Sequence, residues 1–278
     1  MKFRPFWAAT ALAATLTIPR AYAQRSLEKI WETEASVSVP ESVLFDADAR
    51  VLYVSQIDGK AGEKDGKGGI ALVETDGTIK NLNWITGLNA PKGLGKHKGK
   101  LYIADLDEVV IADIKTGKVD KKISVPEAKF LNDVAVDKSG NVYVSDSQTK
   151  NIHLIKDGNA SVYYVSAERP NGLLALGKDL LILDSGTLYR LGADKTVVKL
   201  AEGMEKSTDG IEEVKSGEYI VSAWVGVVYY VTDKGQVDTL IDTRDSGTNS
   251  ADIGYDAKKK VVYIPTFAKN SVAAYQLK

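Results

Sequence analysis

The chain contains no cysteine, so no disulfide and no thiolate can contribute to its fold or its chemistry. Histidine is almost absent, with only His97 and His153. His97 lies in the turn-like stretch Gly95-Lys96-His97-Lys98-Gly99 and His153 in an apolar strand, so both read as surface or packing residues. No G-x-S-x-G elbow occurs, which together with the missing cysteine removes the usual nucleophiles of acyl transfer. Charge of one sign is also lacking: 36 basic and 37 acidic residues are mixed along the chain, giving a net charge of −1. No basic face stands out, and this argues against nucleic acid as a partner. Lys258-Lys259-Lys260 is an isolated cluster that reads as a solvated turn. After the first 20 residues no segment approaches 18 apolar residues, and no long segment carries helical periodicity.

The N-terminus has the pattern of a secretory signal. Lys2 and Arg4 precede an apolar run from Phe6 to Ile18, too short to span a bilayer, and Ala21-Tyr22-Ala23 forms an A-x-A cleavage box. Residues 1–23 are therefore expected to be removed after Ala23. A periplasmic or secreted product is expected, with no membrane segment remaining. The remaining 255 residues suit one all-β domain.

A repeat organises this remainder. Short strands of the Leu-Tyr-Ile-Ala-Asp type centre on Tyr53, Tyr102, Tyr143, Leu181, Ile220 and Tyr263, at gaps of 49, 41, 38, 39 and 43 residues. These gaps match the length of a β-propeller blade. Turn signals such as Lys98-Gly99-Lys100 and Lys138-Ser139-Gly140-Asn141 flank the strands, and further strands follow each one. The expected fold is all-β: one domain over residues 24–278, a six-bladed β-propeller of four-stranded antiparallel blades around a central channel. Leu27 to Val37 is expected to add a strand to the last blade beside Val272 to Leu277, closing the ring and hiding an edge. A closed propeller needs no obligate partner, so a monomer is expected. The Gly- and Lys-rich segment Gln56 to Gly69 has no P-loop pattern and reads either as a flap over the channel or as a plain surface insertion.

Ten to twelve residues before each strand centre stands a polar residue: Glu41, Lys92, Asn132, Asn171, Asp209 and Asp252. The innermost strand of a blade starts near the axis, so these six side chains are expected to converge. Carboxylates at one point repel each other, and a bound cation would relieve that. An oxygen-only set favours a hard ion, Ca²⁺ first and Mg²⁺ or Mn²⁺ next; Zn²⁺ comes last, since it seeks imidazole or thiolate.

These segments resemble a known family. Val39-Pro40-Glu41-Ser42-Val43, Phe130-Leu131-Asn132-Asp133, Arg169-Pro170-Asn171-Gly172-Leu173 and Ser207-Thr208-Asp209-Gly210-Ile211 are similar, in order, to the Glu, F-N-D, S-N-G-L and P-D-G motifs of the senescence-marker-protein (regucalcin)/gluconolactonase/luciferin-regenerating family. The resemblance implies one divalent metal held by Glu41, Asn132, Asn171 and Asp209, with Asp209 also the catalytic base. It implies a metal-dependent hydrolase acting on a lactone or related small ester. This chain departs from the pattern where the sugar lactonases carry an Arg two residues before the F-N-D Asn: Phe130 stands there, with Lys129 before it. Lys92, in Ala90-Pro91-Lys92-Gly93-Leu94, puts an ammonium in the ring. Lys92, Phe130, Lys129 and Asp252 are thus candidate substrate-binding residues. A periplasmic propeller with a structural metal, binding a small ligand or a protein, is the alternative. Phosphotriester hydrolysis fits less well, because that chemistry in related propellers relies on a His near the metal.

Overall fold

Each repeat's second strand is apolar through its middle because it packs against neighbouring sheets on both faces. In Val51–Gln56, Val51 and Tyr53 pack toward the following blade, and Leu52 and Val54 toward the preceding one. Successive side chains of a strand point to opposite faces, so a strand sandwiched between two sheets must be apolar on both. The computed structural model describes Met1 and residues 25–278. The expected leader and its cleavage after Ala23 fall on residues outside that range.

The chain forms a six-bladed β-propeller of four-stranded antiparallel sheets. The innermost strands are Pro40–Asp46, Pro91–His97, Leu131–Val136, Pro170–Leu176, Thr208–Lys215 and the short Gly254–Asp256. The only helical elements among the described residues are two 3₁₀ turns, Arg244–Ser246 and Phe267–Lys269. No helix there is long and apolar enough to cross a membrane. Six apolar clusters each fill one blade–blade interface, so the core is a ring of wedges around the channel. The cluster between the last and first blades joins Leu52, Val54, Tyr263 and Val272.

Closure is made by the N-terminal strand. Leu27–Glu32 pairs antiparallel with Val272–Leu277 and becomes the outer strand of blade 6, with a register shift between Lys29 and Trp31. Trp31 donates its indole N–H to the Thr75 carbonyl of blade 1 (3.1 Å) and stacks, tilted, 5.9 Å from Tyr263. The strand therefore ties both sides of the seam.

Candidate functional site: an oxygen-lined cavity at one mouth of the channel

The repeat carries its own device for aiming the ring residues. In blades 1 to 5 the innermost strand breaks register with its neighbour across the ring residue: between Pro40 and Val43, Pro91 and Leu94, Leu131 and Val134, Pro170 and Leu173, and Thr208 and Ile211. A bulge of this kind re-aims a side chain. The backbone N–H groups freed by it must find other acceptors. Those of Ser42, Asp133 and Gly210 donate to the hydroxyls of Ser55, Ser145 and Ser222 at 2.8 to 2.9 Å. The carboxylate that ends the Leu-Tyr-Ile-Ala-Asp strand clamps the approach segment. Asp105 accepts from the backbone of Asn89 and Ala90, Asp146 from Lys129, and Asp184 from Glu168 and Arg169.

A cavity of about 280 Å³ lies at this face, at the small end of the range for small-molecule sites. Glu41, Lys92, Asn132, Asn171 and Asp209 line it together with Phe130, Arg169, Lys206, Trp224 and Phe267. The structure thus brings together five of the six expected ring residues. The sixth blade differs. Tyr263 is paired with Gly254, whereas Tyr53, Tyr143 and Ile220 are paired with the residues three beyond Glu41, Asn132 and Asp209. By that register the ring position of blade 6 is Ala251, and Asp252 is one residue later. A one-residue slip along a strand turns a side chain to the other side. Asp252 accordingly lines a second cavity of about 250 Å³ at the opposite end of the channel, with Asp133, Glu212 and Lys96. The expected placement of Asp252 in the ring is corrected by this register. Lys129 is exposed and does not line the first cavity; only its backbone N–H takes part, in the Asp146 clamp.

Glycines make room for this second carboxylate layer. A Cβ at Gly93 would collide with Asp133, and one at Gly210 with the Asp252 carboxylate and the Ile253 backbone. Asp133 fills its slot by accepting the Leu173 and Val134 backbone N–H groups at 2.6 Å, and Ser42 donates its hydroxyl to Asp252.

In the first cavity the amide groups are committed through nitrogen. Asn171 donates Nδ2 to Asp209 Oδ1 at 2.9 Å, and Asn132 donates Nδ2 to the Ser147 hydroxyl at 3.0 Å. Oxygens are left over: Glu41 Oε2 and Asn171 Oδ1 are buried without a hydrogen-bond partner. Lys92 is 1% exposed, donates Nζ to the Ala90 carbonyl at 2.9 Å, and sits 4.4 Å from the centre of the Phe130 ring.

Burial dominates the electrostatics. It holds the Glu41 carboxyl well above the ordinary range, helped by Asp209 and opposed by Lys92. Asp209 is pushed up to about 7 by burial and by Asp133, against the Asn171 hydrogen bond and the Arg169 charge. Asp133 rises to about 6 through burial, and Glu212 to about 8 through burial and Asp133. Asp252 is raised by burial and then by Asp133 and Asp209. Burial lowers Lys92, opposed by Glu41 and Asp105. Carboxyls gathered this closely favour their neutral forms unless a cation joins them. Among the described residues no group of three or more His, Cys, Asp or Glu side chains is arranged to hold a metal ion. Any ion at this cavity would need the two amide oxygens beside the two carboxylates.

Three bulky apolar residues near this face take a left-handed backbone conformation. Val39, Leu106 and Phe267 have φ of 47°, 59° and 49°, unusual for bulky side chains, and all belong to the small apolar cluster of Ile57, Ala90 and Leu106. Ile57 and Ala61, from the long loop of blade 1, line the cavity, so that loop does reach its rim. His97 and His153 do not line it; His153 is buried in the third strand of blade 3. Arg169, Lys206, Trp224 and Phe267 were not legible as site residues. They lie on connections, whose approach to the axis depends on how the blades pack.

No family profile matches this sequence, and no curated protein matches it. Solved structures share its fold. A streptogramin B lyase aligns with TM-score 0.64 at 12% identity, over 91% of this chain and 97% of that chain. A catalytically inactive variant of virginiamycin B lyase from Staphylococcus aureus, with quinupristin, aligns with TM-score 0.64 at 12% identity, over 92% and 100%. A structural-genomics protein of unknown function from Bacteroides thetaiotaomicron aligns with TM-score 0.67 at 14% identity, over 91% and 76%. At such identities the likeness is one of fold: the chain is a six-bladed propeller of the architecture that also carries lyases.

Proposed function

We propose that the chain is a divalent-cation-dependent hydrolase of a lactone or related small ester, working in the cavity lined by Glu41, Asn132, Asn171 and Asp209. The observation that carries this is the pair of buried oxygens without partners, Glu41 Oε2 and Asn171 Oδ1, on residues that line one cavity. Buried polar atoms are nearly always satisfied, so an orphaned pair of acceptors is a place for a donor or a cation. The donor set fits a hard ion. All its free atoms are oxygens, its carboxyls are raised by mutual proximity and burial, and its amide nitrogens are already engaged. Glu41, Asn132, Asn171 and Asp209 would hold the ion, with Ca²⁺ the best match. When bound, such an ion supplies Lewis-acid polarisation of a carbonyl oxygen.

The chain's own residues do the rest. Asn171 fixes the orientation of the Asp209 carboxylate through its bond to Oδ1. Asp209 is the group in the cavity placed to take a proton from an attacking water. Lys92 balances part of the charge of Glu41, and Phe130 lies against its ammonium. Ile57, Ala61 and Phe267 give the mouth an apolar rim that limits water.

The test is a panel of lactones assayed with and without chelator, for the wild type and for Asp209→Asn. Metal-dependent turnover that falls by at least two decades in Asp209→Asn, with an unfolding midpoint no lower than wild type, is expected. Full activity in the variant would remove Asp209 from the role. One observation favours a second reading, a non-catalytic ligand-binding propeller: Lys92 is fully buried and bonded within its own loop, as a permanent structural cation would be. A retained metal without turnover of any panel member would favour it.

A further inference from the structure

The two mouths of the channel differ in the basic residues they present. Three basic residues, Lys92, Arg169 and Lys206, line the first cavity beside Glu41 and Asp209, whose carboxyls are raised by burial. At the other end Lys96 faces three carboxyl groups, Asp133, Glu212 and Asp252, whose burial and mutual proximity favour their neutral forms. Lys96 is moreover already paired with Asp46 and Asp48.

Arg169 and Lys206 are exposed at the rim, and neither makes an ion pair or a side-chain hydrogen bond among the described residues. Other solvent-exposed cations do make such pairs, as in Lys64–Asp107 and Arg244–Glu205. The Arg169 backbone is anchored two residues before Asn171: its N–H donates to Asp184 at 2.6 Å. An exposed guanidinium at a cavity mouth, with no ion-pair or hydrogen-bond partner among the described residues, is a ready anion receptor.

Beside the cations stands an aromatic wall. Trp224 is 41% exposed, large for a tryptophan, and meets Phe267 edge-on with ring centres 5.4 Å apart. Its backbone is anchored: the Trp224 main-chain N–H donates to the Ser207 carbonyl at 2.8 Å, two residues from Asp209. Phe267 reaches this contact from a left-handed backbone conformation, φ 49°. An exposed tryptophan backed by a partly buried phenylalanine beside a concave site, the latter at a conformational cost, offers a face for a flat apolar group.

We propose that the ligand of this cavity is a small anion built on a flat ring, its carboxylate or similar group on Arg169 and Lys206 and its ring against Trp224 and Phe267. Resting on the hydrolase reading, this makes the substrate an aromatic lactone or ester that carries an acid group, rather than a neutral sugar lactone. The acid group lodges at the rim, away from the Glu41 and Asp209 carboxylates. The susceptible carbonyl points inward.

The test compares two probes of one skeleton, phthalide and 5-carboxyphthalide, by calorimetric titration of the full protein with Ca²⁺ present, with turnover of both followed in parallel. The carboxylated probe is expected to bind about tenfold tighter or more. Arg169→Gln combined with Lys206→Gln should erase that preference, and Trp224→Ala should weaken both probes. The two cations are exposed and unpaired, so the double variant should keep the wild-type unfolding midpoint. Equal affinity for the two probes, no binding of either, or a preference that survives the double variant would overturn the assignment. Tight, selective binding of 5-carboxyphthalide without turnover would instead sink the hydrolase reading and leave the ligand class standing. Turnover of phthalide with no preference for its carboxylated form would do the reverse.

Discussion

Glu212 offers a test of the channel's electrostatics that leaves the first cavity untouched. Its carboxyl lines the opposite mouth and is pushed up to about 8 from an ordinary value of 4.5, by burial first and by Asp133 second. The folded state therefore binds a proton that the unfolded chain has already released over that interval. Stability must fall as pH rises from about 4.5 to 8, and this group adds nothing further above 8. Each unit is worth about 1.4 kcal/mol, so the full shift sets a ceiling near 5 kcal/mol. The channel mouth admits solvent, and effective dielectric constants near 20 reduce the figure to roughly 1–3 kcal/mol. Glu212→Gln removes the titration while keeping the shape. Any cost of burying the amide is the same at every pH and cancels in the comparison. Urea unfolding with chelator present should give a variant more stable than wild type by roughly 1–3 kcal/mol at pH 9, relative to their difference at pH 4.5. That is a visible fraction of a total stability of about 5–15 kcal/mol. An offset between variant and wild type that is the same at both pH values, within about 0.5 kcal/mol, would refute the claim that this carboxyl is held neutral.

Two further perturbations follow from the packing. Deleting residues 25–33 removes the outer strand of blade 6 and Trp31, which bridges the seam; a loss of at least about 3–5 kcal/mol and a tendency to associate through the bared edge are expected. An unchanged urea midpoint would show that closure does not depend on this strand. Gly172→Ala would drive a Cβ into the Asp209 carbonyl and crowd Leu183, whereas Gly62, with nothing within 4 Å, provides the control. A cost of about 1–3 kcal/mol is expected for the first and within about 0.5 kcal/mol for the second, by thermal unfolding, and equal effects would contradict the close approach of blades 4 and 5 at the axis.

Much of the architecture was written in local pattern. The both-faces-apolar strands at Val51–Gln56 and Lys100–Asp105 recur at blade length, and their recurrence alone implies a closed ring of six. The apolar segment ahead of the first repeat pairs with Val272–Leu277 as its position suggested. The convergence of Glu41, Lys92, Asn132, Asn171 and Asp209 was legible for the same reason, since a residue at a fixed place in every blade must face the axis. Asp252 was misplaced because a spacing of ten to twelve residues tolerates a shift of one, and one residue decides which cavity a side chain enters.

The sequence by itself thus determined the propeller, its seam and the five polar residues at one mouth, because these follow from periodicity and repeat. Only the tertiary structure decided the rest. The layer of Asp133, Asp252 and Glu212 depends on bulges and glycine gaps. The rim of Arg169, Lys206, Trp224 and Phe267 comes from connections of four different lineages in the chain, brought together by blade packing. Strand pattern encodes which face a residue takes, but not which distant loop will lean over it, and the proposed ligand is recognised by those loops.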